Sequence, residues 1–190
     1  MRAFLAVELP SHARHELARL QDQLRDSRAD VKWVEKDNLH LTLRFLGDID
    51  ERERQRVESA SQLAAAAMSP VTVTLSSLGA FPSVSAPRVV WVGLGDGAES
   101  LAQLAAQIEA QLAKAGFPKA DKPFSAHITL GRVRSPRNRL ELVRTINDVV
   151  WTPPASFVVD HVTLFRSDLG SAGPTYSILR EFPFSGKSTG

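Results

Sequence analysis

Apolar and polar residues alternate through Asn38-Leu39-His40-Leu41-Thr42-Leu43-Arg44-Phe45, with the apolar ones at 39, 41, 43 and 45. A period of two predicts a strand there, and it sends His40, Thr42 and Arg44 together to the opposite face. The same pattern returns in His127-Ile128-Thr129-Leu130. Strand-like alternation also marks residues 2–8, 71–75, 88–94, 157–165 and 176–182. Helical spacing marks Ala13, Leu17, Leu20 and Leu24, with Ser11 as the expected N-cap. It marks Leu101, Leu104, Ile108 and Leu112 again, with Gly116 placed to end that helix. Asp50 and Glu53 predict a capping box for a helix reaching about residue 68. Ser135-Pro136 predicts the start of another, whose apolar side is Leu140, Val143 and Ile146. Residues 76–87, rich in Gly, Pro and Ser and containing Phe81, read as an irregular connection, and residues 185–190 as a mobile tail.

These elements recur in one order: strand, helix, His-x-Thr strand, helix, strand. The offsets agree, with 88 − 2 = 86, 127 − 40 = 87 and 157 − 71 = 86. Such constancy predicts two copies of one unit, over about 1–86 and 87–182, inside a single domain. The fold class expected is α+β: two pseudo-two-fold-related lobes, each a small mostly antiparallel sheet with outer helices, around a shared cleft. A third copy, His161-Val162-Thr163, matches Leu75 by 161 − 75 = 86, where the first half has no histidine. It is therefore assigned to structure or to the cleft margin.

Composition narrows the chemistry. A chain of 190 residues, 43% hydrophobic, can bury a real core. The absence of cysteine excludes disulfides, thiolate metal sites and a cysteine nucleophile, and suits a reducing cytoplasm. No apolar run approaches the roughly 20 residues of a membrane span, and the start is too soon interrupted by Glu8 for a signal peptide. A net charge of +2 does not announce a nucleic-acid-coating surface, although Arg132, Arg134, Arg137 and Arg139 cluster after the second His-x-Thr.

Two histidines on facing strands can supply one proton donor and one acceptor near neutral pH. Thr42 and Thr129, about 7 Å along the same faces, bring hydroxyls to the same small anion. Arg132 is the natural fork for a phosphoryl group. Phe81 is a candidate for stacking on a terminal base, with packing as the equal alternative. Trp33, Trp91 and Trp151 read as core residues.

The residues also resemble a known family. Arg2-Ala3-Phe4-Leu5-Ala6-Val7, Val31-Lys32-Trp33-Val34, Asn38 to Gly47, Pro87-Arg88-Val89-Val90-Trp91, Gly116-Phe117 and Phe124 to Arg132 are together similar to the 2H phosphoesterases. The likeness is to the LigT-like RNA 2',3'-cyclic phosphodiesterases and spans nearly the whole chain. It departs at Ala126, where proline is usual, and at Gly131, where alanine is common. The resemblance implies two lobes around a cleft and no metal or other cofactor. It implies that a terminal 2',3'-cyclic phosphate is opened to a 2'-phosphate, with reversible 2'-5' RNA ligation in some members. It makes His40 the proton donor to the departing O3' and His127 the acceptor from water. RNA ends or nucleoside 2',3'-cyclic phosphates would be the partners of a cytoplasmic monomer. The alternatives are a 2H hydrolase of a small cyclic nucleotide or ADP-ribose cyclic phosphate, and a non-catalytic module that holds RNA ends.

Other motifs carry less. Gly93-Leu94-Gly95-Asp96-Gly97-Ala98 formally satisfies a dinucleotide fingerprint but reads as a turn. Gly186-Lys187-Ser188 lacks the first glycine of a P-loop. His12 and His15 have no acidic partners with which to hold a metal.

Overall fold

The structure, a computed structural model, describes residues 1–187. Its elements in chain order are β1 (Arg2–Glu8), α1 (Ser11–Arg25), β2 (Val31–Trp33), a single 3-10 turn (Lys36–Asn38), β3 (His40–Asp48), α2 (Glu51–Ala66), β4 (Val71–Val73) and β5 (Leu75–Ser83). There follow β6 (Ala86–Leu94), α3 (Ala98–Lys114), β7 (His127–Val133), α4 (Arg139–Asp148), β8 (Phe157–Val159), β9 (His161–Gly170) and β10 (Gly173–Pro183).

Two four-stranded antiparallel sheets form, in the orders β10-β9-β1-β3 and β2-β7-β6-β5. Each draws strands from both sequence halves. The first contains β9 and β10 from the C-terminal half, and the second contains β2 and β5 from the N-terminal half. The helices cross over as well: α3 packs against β3 and α2 against β9 and β10, whereas α1 lies against α4 and α4 against β6. A third, two-stranded sheet joins β4 to β8, with Val71 opposite Val159, Thr72 opposite Val158 and Val73 opposite Phe157. Because 72 + 86 = 158, Thr72 faces its own repeat-mate, while Val71 faces the mate of Val73 and Val73 the mate of Val71. The pseudo-two-fold axis therefore passes between Thr72 and Val158. This exchange ties the halves together, since neither sheet closes within one of them.

The helices form for local reasons. At α2 the Asp50 side chain accepts from the Glu53 amide at 2.8 Å and the Glu53 carboxylate accepts from the Asp50 amide at 2.9 Å, the reciprocal bonds of a capping box. At the end of α3, Gly116 takes the left-handed conformation (φ +86°) and lets the Phe117 amide reach back to Leu112 at 2.9 Å. The α3 stripe of Leu101, Leu104, Ile108 and Leu112 is at most 1% exposed, each side chain contributing roughly 2 kcal/mol of burial. The main core lies between sheets and helices. A smaller cluster of Phe4, Ala6 and Phe165, with Tyr176 packed on it, occupies the other face of the first sheet.

Several expectations are corrected. Residues 76–87 are not an irregular connection: β5 is a full strand paired with β6, and only a tight turn separates them. Its Gly and Pro content hides strand character that the pairing with β6 supplies. Ser135-Pro136 does not open α4, which begins at Arg139 behind Asn138 in the left-handed conformation (φ 52°). α1 already includes Ser11, and Pro10 holds the cap position without a side-chain bond. In the expected tail, Gly186 docks on the end of α2, its amide donating to the Met68 carbonyl at 2.8 Å; residues 188–190 lie outside the described ones. No helix among the described residues is long and apolar enough to cross a membrane.

Candidate active site

The two His-x-Thr strands, β3 and β7, lie against each other where the sheets meet. Both are bulged one residue past the threonine. β1 pairs Ala6 with Thr42 but Leu5 with Arg44, passing over Leu43. β6 pairs Trp91 with Thr129 but Val90 with Gly131, passing over Leu130. The bulges are equivalent, at 130 − 43 = 87. An unpaired extra residue reverses the facing of everything after it.

Arg44 therefore leaves the face of His40 and Thr42, contrary to strict alternation. It turns to the helix side, where it is ion-paired with Glu109 of α3 and bonded to the Pro118 carbonyl. Phe45 comes round in its place, 60% exposed. On β7 the same slip turns Arg132 onto the face of His127 and Thr129, which an odd offset of 132 − 127 = 5 would deny it on a regular strand. The β7 bulge is held from behind by Gln21 of α1, only 2% exposed, whose amide donates to the carbonyls of Val34 at 2.8 Å and Leu130 at 2.9 Å.

Both imidazoles are anchored alike. His40 Nδ1–H donates to the Asn38 carbonyl at 2.6 Å and His127 Nδ1–H to the Ser125 carbonyl at 2.7 Å. A carbonyl only accepts, so the proton sits on Nδ1 and each neutral ring presents the Nε2 lone pair. His40 Nε2 accepts from the Thr42 hydroxyl at 2.8 Å. Burial pushes the His40 pKa below the ordinary histidine value, against the opposing pull of the Asn38 carbonyl. Burial also lowers that of His127; the Ser125 carbonyl opposes it and the Arg132 charge adds to it. Both rings thus rest neutral around pH 7, able to gain a proton when an anion arrives.

The profile of the family described as LigT like Phosphoesterase matches the chain twice, over residues 7–91 and 92–176. The chain belongs to the LigT-like phosphoesterases. It is 36% identical over 182 residues to the RNA 2',3'-cyclic phosphodiesterase of Methanothermobacter thermautotrophicus, covering 96% of this chain and 98% of that protein. It is 35% identical over 189 residues to the enzyme of the same name in Aquifex aeolicus, covering 98% of each. Among solved structures it is similar to TT0787 of Thermus thermophilus, with a TM-score of 0.80, 32% identity and coverage of 98% of this chain and 100% of that one. It is also similar to E. coli LigT complexed with 3'-AMP, with a TM-score of 0.77, 28% identity and coverage of 97% and 98%.

In this LigT-like phosphoesterase each histidine is walled by aromatic rings from its own sheet. Phe81 stands edge-on to His127, ring centroids 5.1 Å apart, and packs on Trp91 at 5.0 Å. Trp91 lies over Gly79, where a Cβ would fall 2.5 Å from the indole. On the other sheet His40 touches Phe4 at 4.9 Å and Tyr176 at 5.4 Å. Tyr176 in turn feels the charges of Arg132 and Arg2. Thr42, Thr129, Arg132 and Phe81 are thus all placed on the cleft faces with the histidines. Trp91 is corrected from core residue to cleft wall. Sequence reasoning missed Phe4, Phe45 and Tyr176; for Phe45 a signal existed, since 45 + 87 = 132 makes it the repeat-mate of Arg132.

The third His-x-Thr lies on the same face of the first sheet, two strands from His40. His161 is bracketed by Asp160 at 2.7 Å and Glu8 at 3.1 Å, and the Thr163 hydroxyl donates to Glu8 at 2.7 Å. Although burial works against it, those carboxylates raise the His161 pKa. Glu8, His161 and Glu181 offer ligand atoms within 4.8 Å of one another, the grouping among the described residues best spaced for a metal ion. When protonated, the His161 ring itself supplies that cluster with a positive charge.

Proposed function

We propose that this phosphoesterase opens terminal 2',3'-cyclic phosphates of RNA to 2'-phosphates, with His40 and His127 as the acid and base. The observation that carries the reading is the matched pair of imidazoles, each with Nδ1–H tied to the carbonyl two residues before it and Nε2 turned away from that carbonyl, that of His40 toward the Thr42 hydroxyl.

In the hydrolytic direction His127 Nε2 takes a proton from water as the water oxygen bonds to phosphorus. The P–O3' bond breaks, and His40, protonated at Nε2, gives its proton to the departing O3'. The phosphate stays on O2'. Thr42, whose hydroxyl is released from His40 Nε2 once that nitrogen is protonated, joins Thr129 and Arg132 in donating to the non-bridging oxygens, where negative charge accumulates. His127, whose bond to Ser125 is exposed, suits the water side, and His40, packed between Phe4 and Tyr176, suits the leaving group. Ligation to a 2'-5' linkage uses the same groups with the proton transfers reversed.

Phe81 and the exposed Phe45 flank the site as stacking surfaces for unpaired bases. One chain carries both histidines, so turnover needs no second copy, and the setting proposed for it is the cytoplasm. Because side chains supply both proton transfers, purified protein with excess chelator is expected to convert adenosine 2',3'-cyclic phosphate to the 2'-phosphate. His40→Ala and His127→Ala are each expected to remove most of that turnover. Activity lost to chelator, or kept in both variants, overturns the mechanism. Running the same assay on cyclic-phosphate-ended oligonucleotides and on ADP-ribose cyclic phosphate tests the substrate class.

A further inference from the structure

The two histidines share an arrangement that the repeat does not create. Each has an aromatic ring held perpendicular to it: Phe81 to His127 at 5.1 Å and 88°, Tyr176 to His40 at 5.4 Å and 86°. The rings are not repeat-mates. Phe81 comes from β5 and Tyr176 from β10, and 176 − 81 = 95 rather than 86 or 87. The fold reaches the same edge-on contact by two routes, so a phenyl ring satisfies the packing requirement. The Tyr176 hydroxyl is what differs between the two sides.

That hydroxyl makes no hydrogen bond among the described residues, although a half-buried tyrosine ordinarily finds a partner for it. The charges of Arg132 and Arg2 both act on it, drawing its pKa down against the larger effect of burial. Burial raises the phenol pKa, so it remains a donor at working pH. The ring is also well fixed. Asn38 donates its side-chain amide to the Pro174 carbonyl at 2.9 Å while its own carbonyl takes the His40 Nδ1–H, so one residue positions both His40 and the strand of Tyr176. Lys32, from the other sheet, reaches the Ala172 carbonyl at 3.2 Å and ties down the turn before β10.

We infer that Tyr176 is a substrate-binding residue whose phenol O–H donates to a non-bridging phosphoryl oxygen on the His40 side of the cleft. This rests on the two-histidine reading above and adds to it a donor that breaks the near-symmetry of the site.

Tyr176 is the only tyrosine of the chain. Labelling with 3-fluorotyrosine therefore yields one fluorine resonance, to be followed while adenosine 2'-monophosphate is titrated, with tryptophan fluorescence as an independent report of binding. The resonance is expected to shift saturably with the same midpoint as the fluorescence. Tyr176→Phe, which keeps the ring, is expected to lose about tenfold or more in kcat/KM for adenosine 2',3'-cyclic phosphate, the scale of a hydrogen bond to a charged group. Tyr176→Leu, which also removes the contact with His40, is expected to lose more. A resonance that stays put while fluorescence saturates, or a Tyr176→Phe enzyme within about twofold of the parent, overturns the inference. If His40→Ala and His127→Ala are inactive and Tyr176→Phe is not, the role of Tyr176 alone falls. If the histidine variants remain active, the underlying mechanism falls first.

Discussion

Gln21 offers the sharpest test of how the fold builds the site, because it touches no substrate and acts only through the β7 bulge. Replacing it with leucine keeps the volume and removes two donated bonds, to Val34 O at 2.8 Å and Leu130 O at 2.9 Å. The two carbonyls fare differently. Leu130 O keeps the Val34 amide at 2.8 Å, so it loses one of two partners, at about 1 kcal/mol. Val34 O loses the Gln21 donor in a partly buried site, at about 1–3 kcal/mol. The sum, about 2–4 kcal/mol, corresponds in a chain of this length to a Tm lower by roughly 5–15 °C. Urea unfolding followed by tryptophan fluorescence measures it, with an unchanged m-value showing that the transition has stayed cooperative. Once the bulge relaxes, Arg132 is free to turn away from the cleft, so kcat/KM of the folded Gln21→Leu enzyme is expected to fall as well. A stability within about 0.5 kcal/mol of the parent would refute the clamp. Lost stability with unaltered kcat/KM would show that β6 alone holds the bulge.

Two further outcomes follow from the titrating groups. Both His40 and His127 have pKa values below the ordinary histidine value, so the base limb and the acid limb of kcat/KM both lie below about pH 6.5 for the free enzyme. A pH–rate profile is expected to peak on the acid side of neutrality; a peak above pH 8 contradicts the burial of the pair. For His161 the sign is opposite. Its pKa is raised in the folded chain, so its stabilisation is fully present below about pH 6.5 and is lost as pH rises through the folded value. His161→Gln is therefore expected to destabilise more at pH 6 than at pH 9 in urea titrations, and an equal loss at both rules out the charged cluster with Glu8 and Asp160.

Local pattern was enough for much of this protein. The period-two stretches around His40 and His127, the capping box at Asp50, the stop at Gly116 and the constant offset of 86–87 are all readable along one dimension, and they are local or repeated features. That offset also set two of the three His-x-Thr copies apart as a matched pair. What alternation could not carry was facing beyond residue 42, because a bulge is a property of two strands and appears only when β1 or β6 supplies the register. Arg44 was thus expected in the cleft and sits under α3, while Phe45 and Arg132 arrive there against the simple period. β5 was hidden for a related reason: Gly79 and Pro82 weaken its local signal, and pairing with β6 restores it. Tyr176 lay furthest from view. It follows His40 by 176 − 40 = 136 residues, and only the return of β9 and β10 to the sheet of β1 and β3 sets it against that ring. The sequence by itself determined the repeat, its two histidines and the family. The tertiary structure alone decided which side chains those strands turn into the cleft, since register and strand exchange are set by partners distant in the chain.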